Sequence, residues 1–251
     1  MSVEKQILTL IEQLRRNRFN AVLAESAQDA KDKILAAIPV QASVGVANSV
    51  TVRQIGILEA LKDRGNTLID PIAIGYGLVE FDEETHNKTL RDSINADVFL
   101  SGTNAVTEDG KLVNIDGLGN RVVGIIWGLG QSIVIVGRNK IVKDVDAAIN
   151  RIKNIVTPTF AKRRQLALPC AKAGTCVDCQ IAERACNITV ILERKPALQK
   201  LTVVLVDEDL GLGWDTEWSD ERIDDIRYKY EQFDRPYSSG FRRYHKEHAG
   251  H

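Results

Sequence analysis

Cys170, Cys176, Cys179 and Cys186 are the chain's four cysteines, and all lie within one short segment. A Cys-x-x-Cys pair sets two thiols on one tight turn, close enough to share a metal. Two more within a loop's reach complete a four-thiol set of the kind taken by structural zinc or an iron–sulfur cluster. The spacing matches neither the bacterial ferredoxin run nor a zinc-finger register, so the metal stays open. Lys172 and Arg184 lie nearby, and their charge would favour the thiolate form. Two other readings stand beside metal ligation: a redox pair at Cys176 and Cys179, and buried thiols that only pack.

A second concentration of polar chemistry runs through Ser101-Gly102-Thr103-Asn104-Ala105-Val106-Thr107-Glu108-Asp109-Gly110 and on through Asn114-Ile115-Asp116-Gly117-Leu118-Gly119-Asn120-Arg121. Glycine lets backbone amides approach a ligand, Asn, Asp and Thr supply directional hydrogen bonds, and Arg121 offers a fork for a carboxylate or phosphate. The alternative is two tight turns, which favour the same residues. Asn139 and Lys140 follow Gly137 at the end of the next apolar run. Neither segment is a Walker loop or a dinucleotide fingerprint. Asn48-Ser49-Val50-Thr51 reads first as a helix cap and second as an anion site. His86 sits on a charged helix and His245, His248 and His251 in the tail, so no histidine-based catalytic arrangement can be argued.

The elements that must position these residues follow from periodicity. Apolar residues at helical spacing predict a helix over 3–17, and Ser26 can cap another over 27–37. Strands are expected near 19–24, 40–46, 68–70, 97–100, 132–136, 188–192 and 201–206, and helices over 52–63, 84–94, 142–156 and 220–233. Residues 71–83 read as a loop, and Pro158 as the stop of the 142–156 helix. Thr107 to Gly110 reads as a hairpin with Gly110 at positive φ. Strand, helix and strand in short alternation predict an α/β fold: a mainly parallel sheet, flanking helices and a β-hairpin insertion. One α/β domain over 1–213 is expected, then a polar, aromatic tail over 214–251 that wraps the domain or docks on a partner.

Composition bounds the rest. The chain has 251 residues, 44% hydrophobic and 27% charged, with a formal net charge of −1, which favours neither a nucleic-acid partner nor a membrane surface. No apolar run nears the 18 or so residues of a membrane span. No secretory signal is legible at the start. The expected location is the cytoplasm, where reducing conditions favour metal ligation or redox chemistry over disulfides.

Ser-Gly-Thr-Asn-Ala-Val-Thr-Glu-Asp-Gly at 101–110, Asp-Gly-Leu-Gly-Asn-Arg-Val at 116–122, Val-Gly-Arg-Asn-Lys-Ile-Val at 136–142 and the cysteine segment at 169–187 resemble the signature segments of the LUD (lactate-utilisation) domain, in its cysteine-bearing branch. The likeness spans about 5–213 and leaves the tail out. It implies the fold group of glucosamine-6-phosphate isomerase, ribose-5-phosphate isomerase and the CoA transferases. It also implies a part in an iron–sulfur system that oxidises L-lactate to pyruvate, and a [4Fe–4S] cluster or Zn on the four cysteines. The matching site positions are Thr103, Asn104, Asp109, Asp116, Asn120, Arg121, Asn139 and Lys140, with Gly117 in the same loop. On this reading Arg121 pairs with a small anionic metabolite, and Asp109 or Asp116 transfers protons. The Ser49 segment matches only loosely. Other subunits of an oxidation complex, or further copies of the chain, are the expected partners. Two rivals remain: a non-redox isomerase or transferase on a phosphorylated or CoA-linked substrate with structural zinc, and a scaffold subunit without chemistry. Whether the chain is an enzyme, an oxidoreductase component, is left open.

Overall fold

The computed structural model describes residues 3–248 of the chain; His251 lies outside them, as do the side chains of His245 and His248. Six strands, β1 (Asn20–Ala24), β2 (Ser43–Val46), β3 (Thr67–Ile69), β4 (Val98–Gly102), β7 (Gln131–Gly137) and β10 (Lys200–Val206), form one sheet in the order β1-β10-β7-β4-β2-β3. Every pairing in it is parallel. All six strands therefore end on one edge, where open parallel sheets gather their ligands.

Alternation along the strands separates two cores. Val98, Leu100, Ile133, Ile135, Val204 and Val206 face α2 (Ala27–Ala37), α3 (Val50–Gln54) and α4 (Ile57–Asp63). Phe99, Val134, Val136, Val203 and Leu205 face α1 (Val3–Arg16) and α7 (Asn120–Trp127). Burial on both faces explains why these strands read as unbroken apolar runs. A second sheet, β8-β5-β6-β9, combines β8 (Ile141–Val142), β5 (Ala105–Thr107), β6 (Leu112–Asp116) and β9 (Ile188–Leu192). The β5–β6 hairpin is the expected insertion, and Gly110 has φ 82° at its turn. A methyl there would lie 2.9 Å from the backbone of Gln13 and Leu14 in α1.

Three expectations change. Residues 71–83 include α5 (Pro71–Gly75), started by Asp70, whose side chain accepts from the Ile72 amide, and by Pro71 in the first turn. Residues 52–63 are two helices broken by Gly56 at φ 67°. Pro158 does not end a helix. α8 (Val145–Arg151) passes through a π-helical turn, Ile152–Val156, into α9 (Thr157–Arg163), with Pro158 in the first turn of α9. The widened turn lets the chain absorb a residue that has no N–H to donate.

After α6 (Glu83–Ile94) and α10 (Pro169–Ala173), the chain closes with α11 (Asp220–Phe233) and α12 (Ser239–His248). The tail wraps its own domain. Trp214, Ile223, Ile226 and Tyr230 pack on Val50 and Val156. Among the described residues no helix is long and apolar enough to cross a membrane.

Candidate functional site

At the C-terminal edge of the sheet, three strand ends converge on Lys140. β2 runs into Asn48 and Ser49, β4 into Thr103 and Asn104, and β7 into Asn139 and Lys140. Lys140 is buried, and its Nζ donates to Thr51 Oγ1 at 2.7 Å. No carboxylate stands against it among the described residues. Burial, followed by the charges of Arg121 and Arg151, brings its pKa from the usual lysine value down to about 7. Desolvation disfavours an unpaired ammonium, and two neighbouring cations add to the effect.

The backbone clears space for this amine. A methyl on Gly102 would sit 2.6 Å from Ser49 Oγ and 3.6 Å from Lys140 Nζ. One on Gly211, whose φ is 71°, would sit 2.3 Å from Thr51 Oγ1 and 2.9 Å from Nζ. Ser49 also caps α3, its hydroxyl accepting from the Val52 amide at 3.4 Å.

Asn139 is fully buried and acts as a clamp. Its Oδ1 accepts from the Leu210 amide at 2.9 Å, and its Nδ2 donates to the Gly213 carbonyl at 2.9 Å. This holds the return from β10 against the site. Arg151 supports the 139–140 turn from below, donating to the carbonyls of Asn139 at 2.8 Å and Lys140 at 2.9 Å.

Thr103, Asn104 and Arg121 form one network. Thr103 Oγ1 donates to Asn114 Oδ1 at 3.2 Å, and Asn104 Oδ1 accepts from the Ile115 amide at 2.9 Å. Arg121 donates from Nη2 to the Ile115 carbonyl at 2.7 Å and to Asn104 Oδ1 at 3.3 Å, and pairs through Nε with Asp116 at 3.1 Å. Asp116 also accepts from the Gly119 amide at 3.1 Å, fixing the turn that opens α7 at Asn120. Asn120 is half-buried beside it. Asp109 lies elsewhere, at the hairpin tip against α1, paired with Lys111 at 2.9 Å and accepting from the Thr107 hydroxyl. Partial burial raises its pKa, but the Lys111 and Thr107 contacts outweigh that and hold it below the usual carboxylate value.

The cysteine segment adjoins this network. The Asn187 amide donates to the Asp116 carbonyl at 3.0 Å, and Asn187 Nδ2 to the Gly117 carbonyl at 3.3 Å. The first of these contacts fixes Asn187 to the end of β6, just ahead of β9. A methyl on Gly117 would meet the Ala185 carbonyl at 3.1 Å. Arg184 stitches the segment together, donating to the carbonyls of Cys179 at 2.7 Å and Cys186 at 3.2 Å and pairing with Asp178 at 2.9 Å. Asn154, in the π turn, accepts from the Cys176 amide at 3.2 Å. All four cysteines are free. Burial, and then the neighbouring Cys179 and Cys186, push the Cys170 thiol up. Four free thiols are the right donors for a soft metal. Yet no three His, Cys, Asp or Glu side chains among the described residues are gathered as a ligand set. The donor chemistry fits zinc or iron–sulfur.

The family profile described as the LUD domain matches residues 7–206. The chain belongs to the LUD domain family. No curated protein matches it. Among solved structures, a DUF162 family protein from Deinococcus radiodurans is similar at 11% identity, over 82% of this chain and 99% of that one, with a TM-score of 0.46.

Several residues of this LUD domain's site lie outside those singled out by composition. Thr51 read first as part of a cap and second as part of an anion site, Asn114 stood inside the polar run without a role, and Arg151 had no motif to mark it. Asn114 Nδ2 and Arg151 Nε are buried without a hydrogen-bond partner. On the other side of Asn48, Arg164 is fully buried between the rings of Tyr76 and Tyr237, each 4.5 Å from its guanidinium. It pairs with Asp234 of the tail at 2.5 Å and donates to Asn48 Oδ1 at 3.2 Å. Asn48 Nδ2 in turn donates to the Tyr237 hydroxyl at 3.0 Å. Tail and site therefore share a residue, which no local sequence signal announces.

Proposed function

We propose that this LUD domain binds a small organic-acid anion, of the lactate and pyruvate kind, at the C-terminal edge of its sheet, as a component of organic-acid oxidation. One observation carries the reading: Lys140 is buried among Ser49, Thr51, Arg121 and Arg151 with a neutral hydroxyl as its hydrogen-bond partner and no carboxylate beside it among the described residues. A buried cationic cluster of this kind is stabilised by an anion that neutralises it. Lys140 and Arg121 hold the carboxylate in this proposal, with Asn104, Asn120 and the Ser49 hydroxyl as orienting groups. Thr103 and Asn139 keep the two loops in place, and Gly117 allows the cysteine segment to approach. Asp116, next to Arg121, is assigned proton transfer in preference to Asp109, because Asp109 faces α1.

The four cysteines are proposed to take an iron–sulfur cluster or zinc, because four free thiols on one short segment supply the donors such a group needs. Partner subunits of an oxidation complex remain part of the proposal, supported by the family resemblance alone.

Isothermal titration with L-lactate, pyruvate and inorganic phosphate tests the site. A carboxylate ligand is expected to bind the wild-type chain, with affinity falling at least about tenfold in Lys140→Met, the effect of losing one charge-assisted hydrogen bond. Equal binding by the wild type and the variant, or binding of neither acid, overturns the reading.

A further inference from the structure

The ammonium of a lysine that only anchors an anion is best kept charged. Lys140 is built differently. Its Nζ donates to Thr51 and lies beside the bare backbones of Gly102 and Gly211; a methyl on Gly211 would crowd Nζ and the Thr51 hydroxyl, and one on Gly102 would crowd the Ser49 hydroxyl. The two nearby guanidiniums repel a charge on it and are themselves turned partly elsewhere, Arg121 to Asp116 and Arg151 to the 139–140 carbonyls. Hydroxyls able to relay a proton, Ser49 and Thr51, line the same spot. This is the environment of a nucleophilic amine: desolvated, close to cations and beside proton-transfer groups.

We infer that Lys140 forms an imine with a 2-oxo acid, so that the site's ligand class is the oxo acid with its reactive carbonyl. The inference rests on the anion site proposed above and goes beyond it by naming a covalent step. The lone pair of neutral Nζ forms a bond to the ligand's carbonyl carbon, and the carbon–oxygen π pair moves to oxygen. That oxygen takes a proton, delivered through the Thr51 hydroxyl, to give a carbinolamine. That first proton comes from Nζ itself; Nζ then gives its second and last proton to the hydroxyl, which leaves as water as the carbon–nitrogen double bond forms. Amine and ketone become imine and water, with no oxidant or reductant consumed. The carboxylate of the oxo acid lies toward Arg121, whose charge also draws electron density from the adjacent carbonyl. With the amine's pKa at about 7, a substantial fraction is neutral and nucleophilic at neutral pH.

The experiment is borohydride trapping with pyruvate as the probe. The full chain is incubated with pyruvate, reduced with sodium borohydride, and read by intact mass and by peptide sequencing in the mass spectrometer. One carboxyethyl group is expected, mapped to Lys140, with none formed from L-lactate, which has no carbonyl. Lys140→Arg is expected to lose the adduct, and mapping on the wild type locates it even if that variant does not fold. An adduct spread over surface lysines, or none at Lys140, overturns the inference. Titration separates the two failures: pyruvate that binds without an adduct removes the imine and leaves the anion site, whereas pyruvate and lactate that do not bind remove both.

Discussion

At the scale of single residues, Lys140 is where the chain gives up stability for an arrangement. A buried lysine whose folded pKa is lowered destabilises the folded state while its unfolded counterpart holds a proton that the folded form resists. The destabilisation is full below the folded pKa of about 7 and is relieved as pH rises toward the unfolded value of about 10.4. Unfolding stability of the wild type is therefore expected to climb between about pH 7 and pH 10, by up to about 1.4 kcal/mol per pH unit from this group. Lys140→Met should flatten that climb and be the more stable protein at neutral pH. Urea titrations at several pH values read both slopes, and parallel curves for the two proteins would show that the amine is not desolvated. Arg164 shows the opposite solution. Its charge is equally buried but paired with Asp234 and enclosed by aromatic rings, so it is held in place by the tail.

At the scale of elements, the strands and the amphipathic helices were legible because burial on one or both faces writes a period into the sequence. The β5–β6 hairpin and α2 with its Ser26 cap lie where their turn and cap residues put them. What escaped has identifiable physical reasons. α7 was hidden because Gly119 and Gly124 look like loop residues; Gly124 is there because a methyl would lie 2.3 Å from the Phe99 ring. Pro158 was read as a stop because the π turn before it depends on contacts that sequence does not display. Lys140 and Thr51 are far apart in the chain, and only the parallel sheet brings them together. The cysteine segment was found by its spacing, yet its shape comes from Arg184, Asn154 and Asn187 rather than from sulfur. Anaerobically purified protein is expected to contain bound iron and absorb in the visible. A colourless protein with stoichiometric zinc would make the segment a structural knot, and a protein with neither would leave the thiols to packing. Because side chains already hold the loop, chelation is expected to leave the melting temperature nearly unchanged.

At the scale of the whole molecule, the tail decides whether the domain can stand alone. Residues 214–251 were expected to wrap the domain or meet a partner, and the described part packs on the domain: Trp214, Tyr230, Asp234 and Tyr237 are buried against its residues. A chain ending at residue 213 exposes Val50 and Val156 and leaves Arg164 without its carboxylate. Removing one partner of a buried ion pair typically costs about 3–5 kcal/mol, a large share of a domain's stability. Such a truncated chain is expected to lose its cooperative thermal transition; a chain that melts normally and still binds pyruvate would show that the tail is dispensable. The helical run from Val145 to Arg163 has a consequence of its own. It carries Arg151 under Lys140, Asn154 beside Cys176, and, one residue past its end, Arg164 behind Asn48. Each residue of an α-helix turns its neighbour by about 100°, so these three attachments depend on angular phase. Removing a single residue from the π turn would restore ordinary helical winding and leave Arg164 near its present phase, whereas removing one from α9 would swing Arg164 by about 100° away from Asn48 while leaving Arg151 where it is. The domain's chemistry and its closure by the tail are thus set by one rotational register, which ties the length of this helix to both.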